Sequence, residues 1–248
     1  MKNQYLGDIG DYGKYGLLRF LAKKGVKIGV NWYLTEKEDC FGKAREYIKR
    51  EDEFRPYDPK LFELMKAVQS GRNVARVKEL DIIPGAKYFD EPLTTDDLPA
   101  KERKAARDRW HGRALAALFG TQLVFADPDV GTLRDPKLVS RKGAEHYALT
   151  SELAGYYRRG QDVVYYCHRA RRREEAWNEK KAEMKKLLPD AALFVLTYRR
   201  GMQRSYIFAV HPEHADEYRR LIDGFLATAW GLEKGGSGRA PFADDPVK

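Results

Sequence analysis

Short apolar runs alternate with amphipathic segments along the chain, which is the pattern of an α/β protein. Residues 15–24 place leucines at helical spacing before Gly25, a residue type that commonly ends helices, and so predict the first helix. Residues 26–33 then have the short apolar pattern of a buried strand and end in polar sequence. A helix is therefore expected to precede the first strand.

The alternation continues toward the C-terminus. It predicts further strands over 122–126, 162–167, 192–198 and 204–211, and further helices over 59–68, 99–118, 151–159, 174–188 and 212–226. Two strands in direct succession after so regular an alternation indicate an antiparallel edge on a mostly parallel sheet. Residues 74–80 fit either a strand or the end of a helix, and residues 87–99 have loop composition.

These elements predict the α/β fold class, with a Rossmann-like three-layer sandwich, a mostly parallel sheet and an antiparallel C-terminal edge. Residues 1–233 are expected to form a single α/β domain with a helical insertion at about 36–118. The Gly- and Ser-rich sequence from residue 234 predicts a flexible tail over 234–248. The pattern specifies no oligomeric state.

Charge adds a class of partner to this picture, because the chain has a formal net charge of +9 and an isoelectric point near 9.3. Such a surface attracts polyanions, so nucleic acid is the leading partner, although solubilising charge alone also explains an excess of this size. No apolar run reaches the roughly 18 residues of a membrane span, and the N-terminal residues lack the apolar core of a secretory signal. With two cysteines, Cys40 and Cys167, the sequence favours a cytoplasmic protein without membrane contact.

The sequence Asp127-Pro128-Asp129 follows the clearest predicted strand. Carboxylates just past the carboxyl end of a buried strand are held at the edge where α/β proteins bind ligands. Asp127 and Asp129 can accept hydrogen bonds from an amine or a hydroxyl, act as a base, or hold a divalent cation. An ordinary turn is the alternative, because Asp, Pro and Gly are turn residues. We take both aspartates as candidate catalytic residues.

Residues 7–15 combine three glycines, two acids, a lysine and two tyrosines directly before an apolar helix. Backbone amides at a helix start, with Lys14 beside them, suit a carboxylate or phosphate group of a small molecule. The segment is neither a Walker loop nor a Gly-x-Gly-x-x-Gly turn after a strand, so a glycine-rich capping loop is the equal alternative. The candidate ligand-binding residues are Asp8, Asp11, Lys14 and Tyr15, with Asn31 at the end of the first strand.

Basic residues gather after the predicted strand at 162–167, which carries two tyrosines. Arginines with aromatic neighbours fit phosphate contacts and base stacking. Arginines at a helix start also oppose the helix dipole, at a cost that a bound anion relieves. A solvated helix start is the alternative. The candidate nucleic-acid-binding residues are Tyr166, Arg169, Arg171, Arg172 and Arg173.

Histidines offer one further candidate for catalysis. His168 directly follows a buried strand and is the third candidate catalytic residue. His211 and His214 lie one helical turn apart and have the spacing of a metal pair, but no second histidine pair and no cysteine is near them in the sequence. The sequence therefore assigns no metal site.

Three segments, 8–15, 127–130 and 201–205, stand in an order that resembles the 23S ribosomal RNA adenine methyltransferase J family. That family has Asn-His-Ala-Asp-Val-Leu-Lys-His at a helix start, and Asp11 and Lys14 match it here. Its catalytic Asp-Pro-Pro-Tyr is similar to residues 127–130, which keep the first aspartate and have valine in place of the aromatic residue. Its later Gly-Met-x-x-Ser is similar to residues 201–205.

The resemblance implies a Rossmann-like enzyme that uses S-adenosylmethionine. The methyl donor is then expected at Asn31 and at the candidate ligand-binding residues of segment 8–15. Asp127 is expected to accept a hydrogen bond from an adenine amine. One departure is that the family has a glycine-rich turn after its first strand, whereas Asn31-Trp32-Tyr33 contains no glycine.

The sequence leaves three functions open. The favoured one is a nucleic-acid methyltransferase, adenine-directed and dependent on S-adenosylmethionine. The second is a nuclease or phosphohydrolase in which Asp127 and Asp129 hold Mg²⁺ or Mn²⁺. The third is a non-catalytic nucleic-acid-binding protein on the same fold. RNA and DNA are equal candidates for the partner.

Overall fold

A central sheet of seven strands organises the computed structural model, which describes residues 1–36, 45–71, 73–134, 136–169, 172–232 and 239–247. The strands of this described part are β1 (Ile28–Asn31), β2 (Lys87–Phe89), β3 (Leu123–Ala126), β4 (Gly131–Leu133), β5 (Tyr147–Leu149), β6 (Asp162–His168), β7 (Ala192–Tyr198), β8 (Arg204–Val210) and β9 (Phe242–Asp244). Its α-helices are α1 (Ile9–Lys23), α2 (Glu51–Phe54), α3 (Pro59–Val68), α4 (Ala75–Glu79), α5 (Ala100–Ala117), α6 (Thr150–Tyr157), α7 (Glu174–Lys181) and α8 (Ala215–Leu226). Strands β4 and β5 form a separate two-stranded sheet.

The strand order of the central sheet is β2-β1-β3-β6-β8-β7-β9. Strands β2, β1, β3 and β6 pair in parallel, whereas β8 is antiparallel to both of its neighbours and β9 is antiparallel to β7. Parallel strands need long crossover connections, which the helices supply, and the antiparallel β7-β8 pair needs only a short turn. The predicted α/β fold, with antiparallel strands at the C-terminal edge of a mostly parallel sheet, is confirmed.

Helices cover both faces of the sheet and make it the middle of three layers. Successive side chains of β3 point to opposite faces, so Phe125 packs with the helices α1, α3 and α8 while Val124 packs with α5, α6 and α7. The parallel strands β3 and β6 are buried on both faces and have apolar side chains at nearly every position, which is why the sequence predicts strands over 122–126 and 162–167. In the described part of the chain, no helix is long and apolar enough to cross a membrane.

Helix α1 begins at Ile9, whereas the leucine spacing predicts a start at residue 15. The carboxylate of Asp8 accepts a hydrogen bond of 2.8 Å from the backbone N–H of Asp11 and caps the helix. The glycines of segment 7–15 therefore lie mainly inside the helix. Glycine has a low helix propensity, so the sequence does not predict the first turn and a half of α1.

The described residues between 45 and 118 contain the helices α2, α3, α4 and α5, and they also contribute a strand to the central sheet. Strand β2 pairs in parallel with β1, so the prediction of a loop over 87–99 is wrong for its first three residues. The strand has only three residues and begins with an exposed lysine, and so it lacks a readable apolar run. Residues 74–80, predicted as a strand or the end of the helix that begins at Pro59, instead contain the separate short helix α4, Ala75–Glu79.

The prediction of a flexible tail over 234–248 is wrong for the part of it that the structure describes, 239–247. Strand β9 lies in this part and pairs with β7 at the edge of the sheet. Phe242 is buried there and its ring packs against Trp230, with ring centroids 5.9 Å apart. One aromatic side chain thus anchors a segment whose composition is otherwise that of a loop. Residues 234–238 and 248 lie outside the described residues.

Three glycines one turn apart, Gly10, Gly13 and Gly16, form a smooth stripe on α1 against the C-terminal strands. A Cβ atom at Gly13 would lie 2.6 Å from the ring of Tyr198 on β7, and one at Gly16 would lie 2.4 Å from the indole of Trp230. Real Cβ atoms do not approach other atoms so closely. The stripe therefore allows aromatic rings to pack directly on the helix backbone.

Gly13→Ala is expected to destabilise the fold by about 1–3 kcal/mol, because the added methyl group must displace the buried ring of Tyr198. The matched control is Gly112→Ala on α5, where no described atom lies within 4 Å of the added Cβ. That control is expected to gain about 0.5–1 kcal/mol from helix propensity. Urea unfolding measures both changes, and equal effects of the two substitutions would contradict the close packing of α1.

Candidate functional site

A cleft of about 600 Å³ opens at the carboxyl edge of the central sheet, beside the start of α1. Its lining side chains come from α1, from the segment after β3 and from the adjoining ends of β6 and β8. The residues that line the cleft include Asp8, Gly10, Asp11, Lys14, Asp127, Asp129, His146, Tyr166, His168, Met202 and Arg204. Six of the eight residues predicted as catalytic or ligand-binding line this cleft, and they meet because strands distant in sequence are neighbours in the sheet.

The topology explains why the cleft lies here. The chain passes from β1 to β2 on one side and from β3 to β6 on the other, so its winding reverses between β1 and β3. Ligands of open α/β sheets bind outside the carboxyl ends of the strands at such a switch point. The backbone N–H of Asp127 donates to the carbonyl of Asn31 across this point at 2.9 Å. Asp127 is thereby fixed at the edge of the sheet.

Lys14 joins the two carboxylates on the floor of the cleft. Its Nζ lies 2.6 Å from Asp11 and 2.6 Å from Asp127, and all three side chains are buried. Burial raises the pKa of Asp127 above its ordinary value, and the nearby amine of Lys14 offsets this only in part. Burial disfavours the charged form of Lys14, but the two carboxylates outweigh it and raise the pKa of the lysine. One ammonium therefore faces two acidic groups.

Asp129 lies in a separate network, although only Pro128 stands between it and Asp127. Its carboxylate contacts the amine of Met1 at 2.8 Å, Nδ1 of His146 at 2.9 Å and the hydroxyl of Thr35 at 3.2 Å. Burial alone would raise its pKa, but the amine and His146 outweigh burial and hold the pKa of Asp129 below its ordinary value. The pKa values of the two predicted catalytic aspartates are thus shifted in opposite directions.

Arg204 forms the wall opposite Lys14, and sequence reasoning missed it. It stands directly across from His168 in the antiparallel β6-β8 pair, and its Nη2 lies 2.9 Å from the carboxylate of Asp8. Its Nη1 is buried without a hydrogen-bond partner among the described residues. The guanidinium fills the space beside Gly10, where a Cβ atom would lie 2.1 Å from it. The sequence indicates Arg204 only by its position within segment 201–205, which is similar to the Gly-Met-x-x-Ser segment of the adenine methyltransferases.

His168 and Tyr166 extend from β6 toward the same cleft. Burial lowers the pKa of the His168 imidazole, and the positive charges of Arg204 and Arg172 lower it further. The imidazole is therefore uncharged at neutral pH and can accept a proton. His146, which orients Asp129, is the second residue that sequence reasoning missed, and no motif marks it in the sequence.

The structure places Asn31 and Tyr15 outside the cleft lining. The Asn31 carboxamide donates to the hydroxyl of Tyr156 at 3.0 Å and accepts from the backbone of Tyr33 at 3.1 Å. Tyr33 has a positive φ of 44°, so the carboxamide supports an unusual turn after β1. Tyr15 is fully buried and its ring packs edge-on against Trp32.

Of the predicted nucleic-acid-binding arginines, the structure describes Arg169, Arg172 and Arg173, and none of these three lines the cleft. Arg169 pairs with Glu174 at 2.8 Å, whereas Arg172 and Arg173 are exposed to solvent. Arg172 is close enough to His168 to lower the pKa of its imidazole. Tyr166 is the one member of the predicted set that lines the cleft. Arg171 and Cys40 lie outside the described residues.

The cleft carboxylates do not converge in the manner of a metal site. Across the described ranges, one group of three His, Cys, Asp or Glu side chains has its ligand atoms within 4.8 Å of one another, and it comprises Asp162, His211 and His214. None of these three lines the cleft. In the cleft, the carboxylates are held by cationic groups of the protein itself.

Comparison with known proteins assigns no relationship: no protein-family model matches the chain, and no curated protein matches its sequence. A proposal for the function of this chain therefore rests on the geometry and charge of the cleft.

Proposed function

We propose that the cleft binds S-adenosylmethionine and that the protein methylates an amine of a nucleic-acid base. The observation that carries this proposal is the position of Asp127. Asp127 follows β3 at the switch point of the sheet. Its carboxylate lies 2.6 Å from Nζ of Lys14 on α1, and the same Nζ lies 2.6 Å from the carboxylate of Asp11, so the three residues form one ion-pair network. These are the positions that the resemblance to the adenine methyltransferases assigns to the target amine and to the methyl donor.

The charge and size of the cleft fit this donor. Four aspartates and the cations Lys14 and Arg204 line it, a mixed setting that suits S-adenosylmethionine, which carries a carboxylate as well as ammonium and sulfonium groups. A cofactor with phosphate groups is less favoured, because the chain has no phosphate-binding glycine loop. The volume of about 600 Å³ lies within the usual range of small-molecule sites.

The protein side chains have distinct roles in this proposal. When bound, S-adenosylmethionine would supply an electrophilic methyl group, whose bond to the sulfonium sulfur breaks as the thioether S-adenosylhomocysteine leaves. Lys14 holds the carboxylate of Asp127 in place, and Asp127 accepts a hydrogen bond from the target amine, which orients the nitrogen lone pair. His168, uncharged at neutral pH, accepts the proton that the amine loses as its new N–C bond forms. Asp129 orients the turn after β3.

Nucleic acid is the substrate class in this proposal because of the charge around the cleft. The chain has a net charge of +9, and the exposed Arg172 and Arg173 lie next in sequence to the β6 end of the cleft. Their guanidinium groups suit the phosphates that flank a target base. Met202, exposed on the β7-β8 turn at the cleft rim, offers apolar surface for the base itself.

The arrangement argues against the metal-dependent nuclease. Asp11 and Asp127 share one lysine, and Asp129 is occupied by an amine and an imidazole. Mg²⁺ or Mn²⁺ would have to displace these cationic partners and draw together carboxylates that the described structure holds in separate networks.

Asp127→Asn tests the proposal, because it removes the charge while it preserves the shape of the side chain. S-adenosylmethionine is expected to raise the melting temperature of the wild type and of this variant, and transfer of a labelled methyl group to RNA or DNA is expected to fall at least about 100-fold in the variant. Asp108→Asn, an exposed residue of α5, is the control. A wild-type melting temperature that does not respond to S-adenosylmethionine contradicts the proposal.

A further inference from the structure

Asp162, His211 and His214 converge at the opposite edge of the sheet from the cleft. Nδ1 of His211 lies 2.9 Å from one oxygen of the Asp162 carboxylate, and Nδ1 of His214 lies 2.8 Å from the other. Ligand atoms of all three side chains lie within 4.8 Å of one another. Two imidazoles and a carboxylate therefore share one small volume.

The structure holds two of these groups in fixed orientations. The Asp162 carboxylate is 2% exposed and accepts a hydrogen bond of 2.8 Å from the backbone N–H of His211. The imidazole of His211 stacks on the ring of Tyr157, with centroids 3.8 Å apart and planes 8° from parallel. Pro212 stiffens the turn that carries the two histidines. Such support for ligating side chains is what preorganises a metal site.

We propose that Asp162, His211 and His214 bind a zinc ion. Two nitrogen donors and one oxygen donor suit Zn²⁺, whereas Mg²⁺ prefers oxygen donors alone. The His214 side chain is 42% exposed, so the fourth ligand position faces solvent and takes a water molecule. Nitrogen and oxygen ligands of zinc lie about 2.0–2.2 Å from the ion, so a small separation of the hydrogen-bonded pairs makes room for it.

The zinc joins parts of the chain that are far apart in sequence. Asp162 begins β6, His211 directly follows β8, and His214 precedes α8. The cleft lies at the other ends of the same two strands, with His168 and Arg204. Because each strand has seven residues, the two sites are roughly 20 Å apart. The zinc site thus does not depend on the proposed methyltransferase activity.

His214→Gln tests the site, because His214 is the most exposed of the three ligands and its replacement preserves the buried Asp162–His211 pair. Untagged protein is titrated with ZnCl₂ by calorimetry after treatment with a chelator. The wild type is expected to bind one equivalent and to gain melting temperature, while Mg²⁺ has no such effect. His214→Gln is expected to weaken zinc binding at least about 100-fold.

His146→Gln is the matched comparison, because His146 also contacts an aspartate through Nδ1 at 2.9 Å but lies in the cleft. This variant is expected to bind zinc as the wild type does. Co²⁺ in place of Zn²⁺ adds a second readout, since its visible spectrum is expected to change in His214→Gln and to remain unchanged in His146→Gln. Absence of zinc binding by the wild type, or binding that is lost in His146→Gln and kept in His214→Gln, overturns the proposal.

Discussion

Lys14→Met is expected to lower the free energy of unfolding by about 3–5 kcal/mol, because it leaves Asp11 and Asp127 buried without their shared cation. Without the lysine, burial dominates and each carboxyl has a folded-state pKa above its unfolded value. The loss of stability in Lys14→Met is therefore full at neutral pH. It shrinks as the pH falls through the raised pKa values of Asp11 and Asp127, because protonation removes the buried charges. Urea unfolding at several pH values measures this dependence.

Lys104→Met is the matched control for Lys14→Met. Lys104 also approaches an aspartate, Asp108, at 2.6 Å, but its side chain is 62% exposed whereas that of Lys14 is 6% exposed. Surface pairs of this kind contribute about 0–1 kcal/mol. A loss in Lys14→Met no larger than that in Lys104→Met would show that the cleft is wetter and less rigid than its geometry indicates.

Arg107→Met is expected to cost about 3–5 kcal/mol, because Arg107 neutralises Glu152 inside the layer formed by α5 and α6. Its Nε lies 2.7 Å from Glu152, and its other nitrogens donate to the carbonyls of Ala144 and Tyr147. Burial raises the pKa of Glu152, but Arg107 outweighs burial and holds the pKa below its ordinary value. The stability that this pair supplies is therefore lost as the pH falls through the folded-state pKa.

Arg113→Met on the same helix is the control for Arg107→Met, since Arg113 pairs with Glu91 at the surface. This substitution is expected to lower the free energy of unfolding by less than about 1 kcal/mol. Adding Glu152→Gln to Arg107→Met removes the unpaired charge and is expected to recover part of the loss. Chemical denaturation of the single and double variants gives the coupling energy. Additive losses, with no recovery, would contradict a direct interaction between the two buried charges.

The sequence predicts those parts of the molecule whose signal is local. Residues 123–126 form β3 because four apolar positions precede a turn, and Asp127 is thereby located at the end of that strand. The contact between Lys14 and Asp127 joins residues 113 positions apart, and only the strand order brings them together. Asp127 and Lys14 are therefore each predictable as candidates, whereas the contact between them is visible only in the structure.

Buried charges are the features that sequence reasoning misses. Helix α5 is so polar that its arginines are expected to face solvent, yet Arg103 and Arg107 are buried. Arg204 begins a strand that could equally have left its first side chain at the surface. In each case a carboxylate or carbonyl from a distant segment neutralises the guanidinium, and the identity of that segment is a property of the folded chain.

The glycine stripe of α1 has a consequence for the order in which the protein is built. During synthesis, α1 emerges first, but the surfaces that cover its stripe belong to Tyr198, Arg204 and Trp230. At roughly 5–20 residues per second, the ribosome needs on the order of 10–40 s to deliver them. During that interval one face of α1 is uncovered, and the cleft lacks the side that Arg204 forms. The cleft therefore acquires its native contacts only after β7, β8 and Trp230 have been synthesised.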